Sequence, residues 1–158
     1  MVICGIDASS NKTGIAIFED GKYIEHKLID LHKIKDSHER IPKMMLAICE
    51  YLGKHQIDKI IIEESMMTNN ILTVKMLASI AGAVMYYAAS HGIEFQLDLP
   101  SVWRKRIGLT QGRAKRETLK AEAIEAVKQE YGLRVSDDIA EAILIARSGF
   151  DLPKIDEI

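Results

Sequence analysis

Carboxylate side chains interrupt three apolar stretches of this sequence, and acids in such places favour metal-dependent chemistry on phosphate esters. Asp7 ends the first apolar stretch of the chain, and Glu63 follows three consecutive isoleucines. Asp138 and Glu141 lie in a third stretch whose other members are nearly all apolar. A buried carboxylate is costly unless a partner compensates its charge. These four residues are therefore the candidates for a functional site.

Most of these acids, taken alone, also have a purely structural explanation. Asp7 could end a strand and cap the small polar turn that follows it. Asp137 and Asp138 could stabilise the N-terminal end of a helix, which is worth ~0.3–1 kcal/mol. Glu141 lies one turn further along that helix, where this explanation does not apply. Because Asp138 and Glu141 are three residues apart, their side chains project from one helix face and could reach a common ion.

Four carboxylates that converge on one point would repel one another unless cations lie between them. Two hard divalent cations ~3.5–4 Å apart would neutralise them, activate water and stabilise the leaving oxygen of a phosphodiester. The five histidines are scattered, and Cys4 and Cys49 have no neighbouring ligand, so zinc-ligand spacing is not found. The pattern predicts phosphoryl-transfer chemistry with oxygen ligands and without a Ser, Cys or His nucleophile.

Positive charge is concentrated in one segment of a chain that is otherwise acidic. The formal net charge is −2, yet residues 101–120 contain one acid and seven basic residues. The basic residues are Arg104, Lys105, Arg106, Arg113, Lys115, Arg116 and Lys120. Such a patch attracts phosphate even on an acidic molecule. A solvated basic helix face is the alternative, because charge blocks often serve only as exposed surface.

Apolar periodicity and turn signals predict the elements that must position these residues. Three strands come first, with Asp20-Gly21 as a tight turn, and they predict an antiparallel start to a sheet. A helix capped by Asp36 then leads to an isoleucine-rich buried strand, expected to lie parallel to the first. The predicted strands are residues 2–8, 13–19, 23–30, 57–64 and 94–99. The predicted helices, with their caps, are residues 36–53, 70–91, 100–107, 113–131 and 136–148.

This order predicts an α/β fold of three layers, in which a five-stranded mixed sheet is flanked by helices. Ligand sites in such sheets gather at the carboxyl ends of neighbouring strands, so Asp7 and Glu63 are expected to face each other. Glu64 is expected to point to the opposite face by strand alternation. The chain is expected to form one domain over residues 1–158.

The helix predicted over residues 70–91 is apolar or small nearly all round, with Gly82 among alanines, so it requires burial on more than one face. A second copy of the chain is a candidate for covering it. The longest uncharged apolar stretch, residues 80–89, has about half the ~20 residues that span a bilayer. With no secretion signal at Met1 either, the expected location is the cytoplasm, without a membrane segment.

The three acidic segments resemble the three acidic motifs of the RuvC family of Holliday junction resolvases, which have a ribonuclease-H-like fold. The order of the motifs is kept, and the match spans nearly the whole chain. Residues 100–114, which include Pro100-Ser101, Arg104 and Gly112-Arg113-Ala114, are similar to the family's basic DNA-contacting region. The matching acidic segments are residues 5–14 (GIDASSNKTG), Ile62-Glu63 and residues 138–146 (DIAEAILIA).

The resemblance implies a homodimeric endonuclease that cuts four-way DNA junctions in recombination and repair. It implies that Asp7, Glu63, Asp138 and Glu141 bind two Mg²⁺ or Mn²⁺ ions and carry out the cleavage. A twofold symmetric enzyme would nick two strands of the junction and leave 5′-phosphate and 3′-hydroxyl ends. The basic residues expected to hold DNA phosphates are Arg104, Lys105, Arg113, Lys115 and Arg116.

Two departures from the family's cellular members bear on specificity. Glu141 replaces the usual Asp and is one methylene longer, which would alter ion spacing or metal preference. Met66 and Met67 stand where cellular members use an aromatic residue against unstacked bases. Methionine wedges between bases but stacks less specifically, which favours a broader branched-DNA specificity, as in viral relatives that act in a host cytoplasm. Trp103, the single Trp, is expected in the core rather than against a base.

Three other interpretations fit parts of the sequence. ATP-binding proteins of the actin, sugar-kinase and heat-shock-chaperone type also open with Gly-x-Asp and a small polar turn, but they need a second lobe that 158 residues cannot supply. YqgF-like nucleases share the fold and act on RNA. A non-catalytic DNA-binding module would not depend on Asp7.

Overall fold

The computed structural model describes residues 1–64, 70–109 and 114–155, in which a mixed sheet carries helices on both sides. The strands are β1 (Val2–Asp7), β2 (Lys12–Glu19), β3 (Lys22–Asp30), β4 (Lys59–Glu63) and β5 (Glu94–Asp98). The helices are α1 (Ser37–Leu52), α2 (Ile71–Ser90), α3 (Pro100–Arg106), α4 (Arg116–Tyr131) and α5 (Asp137–Arg147).

The sheet has the strand order β3-β2-β1-β4-β5. The first three strands are antiparallel neighbours, while β4 is parallel to both β1 and β5. The turn between β2 and β3 places Asp20 and Gly21 at φ 49° and 78°, the left-handed backbone that a tight hairpin turn requires. The predicted hairpin and the predicted parallel pairing of the first and fourth strands are both confirmed.

Alternating side chains of the strands fill two separate cores. On one side, Ile3 and Ile61 pack under α3, α4 and α5; we call this side the α5 face. On the other side, Cys4, Ile6 and Ile60 pack under α1 and α2. The period of two along each strand therefore decides which residues point towards α5. The predicted three-layer α/β architecture is confirmed, and its strand order is that of a ribonuclease-H-like fold.

Helix α2 is covered along a narrow strip only. Its buried residues are Ile80, Val84 and Ala88, whereas Ile71 and Tyr86 expose 72% and 77% of their surface. By length and composition the 20-residue helix could also cross a membrane, with a mean hydropathy of 1.5 in its most apolar window. The prediction that no apolar segment reaches membrane length rested on residues 80–89 alone, which Ser79 and Ser90 bound. Helix α2 extends beyond both ends of that stretch and keeps a high mean hydropathy.

Most of the observed element boundaries differ from the predicted ones by a few residues. The fourth strand begins at Lys59 rather than at the predicted Ile57. Ile57 is buried, but it lies in the segment that precedes the backbone pairing of this strand. Helix α1 begins as predicted at the cap Asp36, whose side chain accepts a hydrogen bond from the amide of His38. The predicted start of the fourth helix, residue 113, lies outside the described residues.

Candidate active site

Two of the predicted acids stand side by side at the end of the central strands. The register pairs Ile6 with Ile62, so Asp7 and Glu63 follow at the same level of β1 and β4. Both have the same strand parity as Ile3 and Ile61, and their side chains therefore point towards the α5 face. Both are half-buried, while Glu64 is exposed.

The other two acids come from the first turns of α5, which lies directly on β1 and β2. Two glycines permit this close approach. A Cβ added at Gly5 would lie 2.4 Å from the carbonyl oxygen of Ala142, and one added at Gly14 would lie 2.1 Å from that of Asp138. The start of α5 is thus held against the strand end that carries Asp7, and Asp138 and Glu141 reach the same place.

The turn between β1 and β2 is closed by its own side chains. The Ser9 hydroxyl accepts hydrogen bonds from the amides of Asn11 and Lys12 and donates one to the carbonyl of Lys12. The fully buried Thr13 hydroxyl donates to the carbonyl of Ser9 at 2.9 Å. Because the turn satisfies its own polar groups, the Asp7 carboxyl is not needed to cap it. The structural alternative for Asp7 is therefore not supported.

Burial raises the pKa of all four carboxyl groups. The pKa of Asp7 lies well above its ordinary value, first because water is excluded and then because Glu141, Glu63 and Asp138 are negatively charged. Burial raises the pKa of Glu63 to about 7, although a hydrogen bond from Trp103 opposes the rise. Burial is also the main cause of the raised pKa of Asp138 and of Glu141. The site thus concentrates more negative charge than its surroundings compensate.

The donor set fits a hard divalent cation. All four side chains present carboxylate oxygens, the ligands that Mg²⁺ and Mn²⁺ prefer. Asp7 and Glu141 are close enough to hydrogen-bond each other. Across the described ranges, no three Asp, Glu, His or Cys side chains already stand at ligand spacing around one point. Ion binding at this site would therefore include side-chain rotation of the acids.

Lys120, on α4, brings a positive charge to the acids. Its ammonium group forms an ion pair with Asp137, which lowers the pKa of that carboxyl. The same positive charge opposes, without cancelling, the rise that burial causes in the pKa of Asp7, Asp138 and Glu141. The sequence marked Lys120 only as one of seven basic residues. Its spacing of four from Arg116, on the same helix face, was the signal that could have assigned it to the site.

Trp103 is fully buried, as predicted, but it also contacts the site. Its indole Nε1–H donates a hydrogen bond of 2.7 Å to Oε2 of Glu63. No pattern in the sequence links these two residues, which are 40 positions apart. The signal that could have drawn attention to Trp103 was its place as a single aromatic residue within a short basic helix.

The predicted phosphate-binding residues do not all reach the surface. Arg104 is 2% exposed and forms an ion pair with Glu122, although it also lines the cleft beside the acids. Its contact with DNA stays a prediction. Arg104, Lys105 and Arg106 form the last turn of the seven-residue helix α3, and one side of that helix faces the core. Lys105, Lys115 and Arg116 are exposed. Arg113, Met66 and Met67 lie outside the described residues.

A cleft of about 970 Å³ runs past the acids. Its walls carry the four carboxylates, Lys120 and Arg116, and a mostly apolar side formed by α2. Lys105 is not among the residues that line it. The cleft therefore combines a negative floor with positive residues on the α4 side, an arrangement that suits a phosphodiester held by cations.

We expect the protein in excess EDTA to lose thermal stability as the pH rises from about 5.5 to about 8. In the folded state the pKa values of Asp7, Glu63 and Glu141 are raised, that of Glu63 to about 7. Their stabilising protonation is complete below the ordinary carboxyl values and is lost as the pH passes the raised ones. Scanning calorimetry of wild type and Glu63→Gln measures the effect. The stability of the variant should decline less steeply with pH than that of wild type; equal slopes would contradict the assignment.

Comparison with known proteins shows the family of this chain. The sequence pattern of the family described as Crossover junction endodeoxyribonuclease RuvC matches residues 3–147. A family member from Bifidobacterium animalis subsp. lactis is 28% identical over 152 residues, which is 92% of this chain and 77% of the relative. One from Citrifermentans bemidjiense is 24% identical and covers 92% of this chain and 90% of the relative.

Two solved structures share the fold. Thermus thermophilus RuvC in complex with a Holliday junction substrate superposes with a TM-score of 0.73 at 17% identity, over 94% of this chain and 92% of that one. The yeast mitochondrial Holliday junction resolvase gives a TM-score of 0.54 at 20% identity, over 92% and 77% of the two chains. Since the family pattern covers nearly all of the sequence, this chain belongs to the RuvC family of crossover junction endodeoxyribonucleases.

Proposed function

We propose that this chain is a structure-selective endonuclease that cleaves four-way DNA junctions, and other branched DNA, by two-metal hydrolysis of phosphodiesters. Dependence on a divalent metal goes with its family; the assignment of two Mg²⁺ or Mn²⁺ ions is part of the proposal. The observation that carries it is the meeting of Asp7, Glu63, Asp138 and Glu141 from β1, β4 and α5 beside one cleft. Residues 1–158 would act as one nuclease domain in the cytoplasm.

The four carboxylates would hold the cations, and the rest of the site would hold the DNA strand. Bound divalent ions would supply charge neutralisation, activation of water and stabilisation of the leaving oxygen. Asp7 and Glu63 are fixed by paired strands, and Asp138 and Glu141 by a helix packed on those strands. This rigidity keeps the donors on one side of the reacting phosphate. Glu141, longer than the family's usual Asp, can reach Asp7 from the second turn of α5.

The phosphate backbone would be held at the start of α4. Lys115 and Arg116 are exposed there, and the side chain of the N-cap residue, Lys115, forms no capping hydrogen bond. Open amide groups and the helix dipole favour an anion at this end. Arg116 lines the cleft together with Lys120, so a strand bound to α4 would lead towards the acids. Lys105, and Arg113 outside the described residues, extend the proposed contact.

A homodimer would place two such sites on one junction. The exposed apolar side chains of α2, among them Ile71, Leu72, Met85 and Tyr86, are the proposed interface. A monomer would leave this surface in water, and apolar patches of that kind mark association sites. Met66 and Met67 precede α2 in the sequence and remain proposed contacts to unstacked bases at the junction.

Cleavage of a panel of labelled substrates tests the proposal. With Mg²⁺, we expect the protein to cut an immobile four-way junction at least about 10-fold faster than linear duplex or structured RNA, because only the junction fills two symmetric sites. Splayed-arm DNA should be cut at an intermediate rate. Paired nicks in opposite strands from a single binding event would support the dimer. Preference for RNA would instead favour the YqgF-like alternative; the ATP-binding alternative is already set aside by the family membership.

A further inference from the structure

The side chain of Trp103 is placed between the core and the acids. It is fully buried in the seven-residue helix α3. Its Nε1–H group donates to Oε2 of Glu63 at 2.7 Å, so one oxygen of this carboxylate is held from behind. Glu63 itself lines the cleft.

The indole is itself held in place by its neighbours. The guanidinium of Arg104 lies over the Trp103 ring, 5.2 Å from its centre. Arg104 is in turn fixed by an ion pair with Glu122 on α4. A buried Arg and a buried ring that support each other leave the indole N–H little freedom to turn away. The direction of the bond to Glu63 is therefore set by the packing of α3 against α4.

A neutral donor suits this position better than a charged one. Glu63 stands among other carboxylates, and repulsion from Glu141 would favour rotation away from the site. A Lys or Arg bonded to Glu63 in the place of Trp103 would neutralise its charge and compete with a divalent cation. The indole N–H stabilises the ionised carboxylate through a hydrogen bond and adds no net charge.

We propose that Trp103 is a positioning residue for the active site: it orients the Glu63 carboxylate so that its free oxygen can bind a divalent ion. The inference rests on the proposed function for the role of Glu63. Groups that hydrogen-bond to a metal ligand typically change metal affinity by ~10–100-fold when they are removed. Trp103→Phe keeps a ring in the core and deletes the N–H donor.

Metal binding without DNA is the deciding measurement. We expect calorimetric titration with Mn²⁺ to show an affinity about 10-fold or more weaker for Trp103→Phe than for wild type. Cleavage by the variant should need correspondingly more Mg²⁺ and recover most of its rate at saturating metal. Phe18→Leu is the control, because Phe18 is an equally buried ring in the same core and is not bonded to the acids. It should lower Tm and leave the Mn²⁺ affinity within about twofold of wild type.

Affinities of Trp103→Phe within twofold of wild type, or an equal loss in Phe18→Leu, would overturn the inference. Neither result depends on whether the wild type cuts junctions, so the two proposals can fail separately. If Trp103→Phe does not fold, wild type still provides the test, since the single Trp gives one indole N–H resonance. That resonance should shift on Glu63→Gln substitution and on addition of Mg²⁺. An unchanged resonance in both experiments would also overturn the inference.

Discussion

Asp7→Asn should abolish junction cleavage, with a loss on the order of 10³-fold or more, while junction binding is kept or strengthened. Asp7 has three other acids among its charged neighbours and the pKa most strongly raised by burial and by their charges. Loss of one carboxylate weakens the hold on every ion it shares. It also removes a negative charge that repels DNA phosphates. Single-turnover cleavage of a labelled junction in Mg²⁺, with gel-shift binding in Ca²⁺, measures both effects.

The same substitution should make the protein more stable in EDTA. Removal of one poorly compensated charge is worth on the order of 1 kcal/mol, or about 2–4 °C in Tm for a chain of this size. Asp151→Asn is the matched control, because it removes one carboxylate at an exposed position outside the cleft. It should change neither cleavage nor Tm noticeably. Full activity of Asp7→Asn would refute the site assignment and favour a non-catalytic DNA-binding module.

Gly14→Ala should disrupt the protein more than any surface substitution. The new Cβ would lie 2.1 Å from the carbonyl oxygen of Asp138, and both groups belong to backbone that has little room to move. Helix α5 would be pushed off β2 at the turn that carries the acids. We expect a loss of about 3 kcal/mol or more in the free energy of unfolding, at the upper end of overpacking effects. Urea denaturation followed by circular dichroism measures it.

Any Gly14→Ala protein that still folds should be deficient in cleavage, because Asp138 would be displaced from Asp7. Gly53→Ala is the control: Gly53 has an ordinary right-handed backbone, and a Cβ there would have its nearest contact at 3.5 Å. Its unfolding free energy should stay within about 1 kcal/mol of wild type. A stable and active Gly14→Ala enzyme would show that α5 does not depend on close contact with β2.

The periodicity of the sequence was enough to predict the strands, the parallel pairing of β1 with β4, and the convergence of the acids. Asp7 and Glu63 could be placed because each ends an apolar strand, and strand parity decides their side. Asp138 and Glu141 could be placed because they are three residues apart and therefore share one face of α5. These are local patterns, and the architecture follows from them.

Contacts between distant segments could not be predicted in this way. Arg104 belongs to a run of basic residues, and composition alone predicts that such a residue is exposed. It is buried because one side of the short helix α3 faces the core. The bond from Trp103 to Glu63 and the ion pair of Lys120 with Asp137 depend on helix packing angles that no spacing encodes. Of the six basic residues of this segment that the structure describes, Arg104, Arg106 and Lys120 form ion pairs, so the surface patch is weaker than the sequence suggested.

The site draws its acids from the first strand and from the last helix of the fold, with 130 positions between Asp7 and Asp137, where α5 begins. Most of the described residues must therefore leave the ribosome before α5 can dock on β1 and complete the set of four acids. Under the proposed function, a nascent chain would lack a complete site until α5 has left the ribosome. Truncated products that end before α5 would likewise be inactive under the proposed function, since they lack two of the four acids and the helix that positions them.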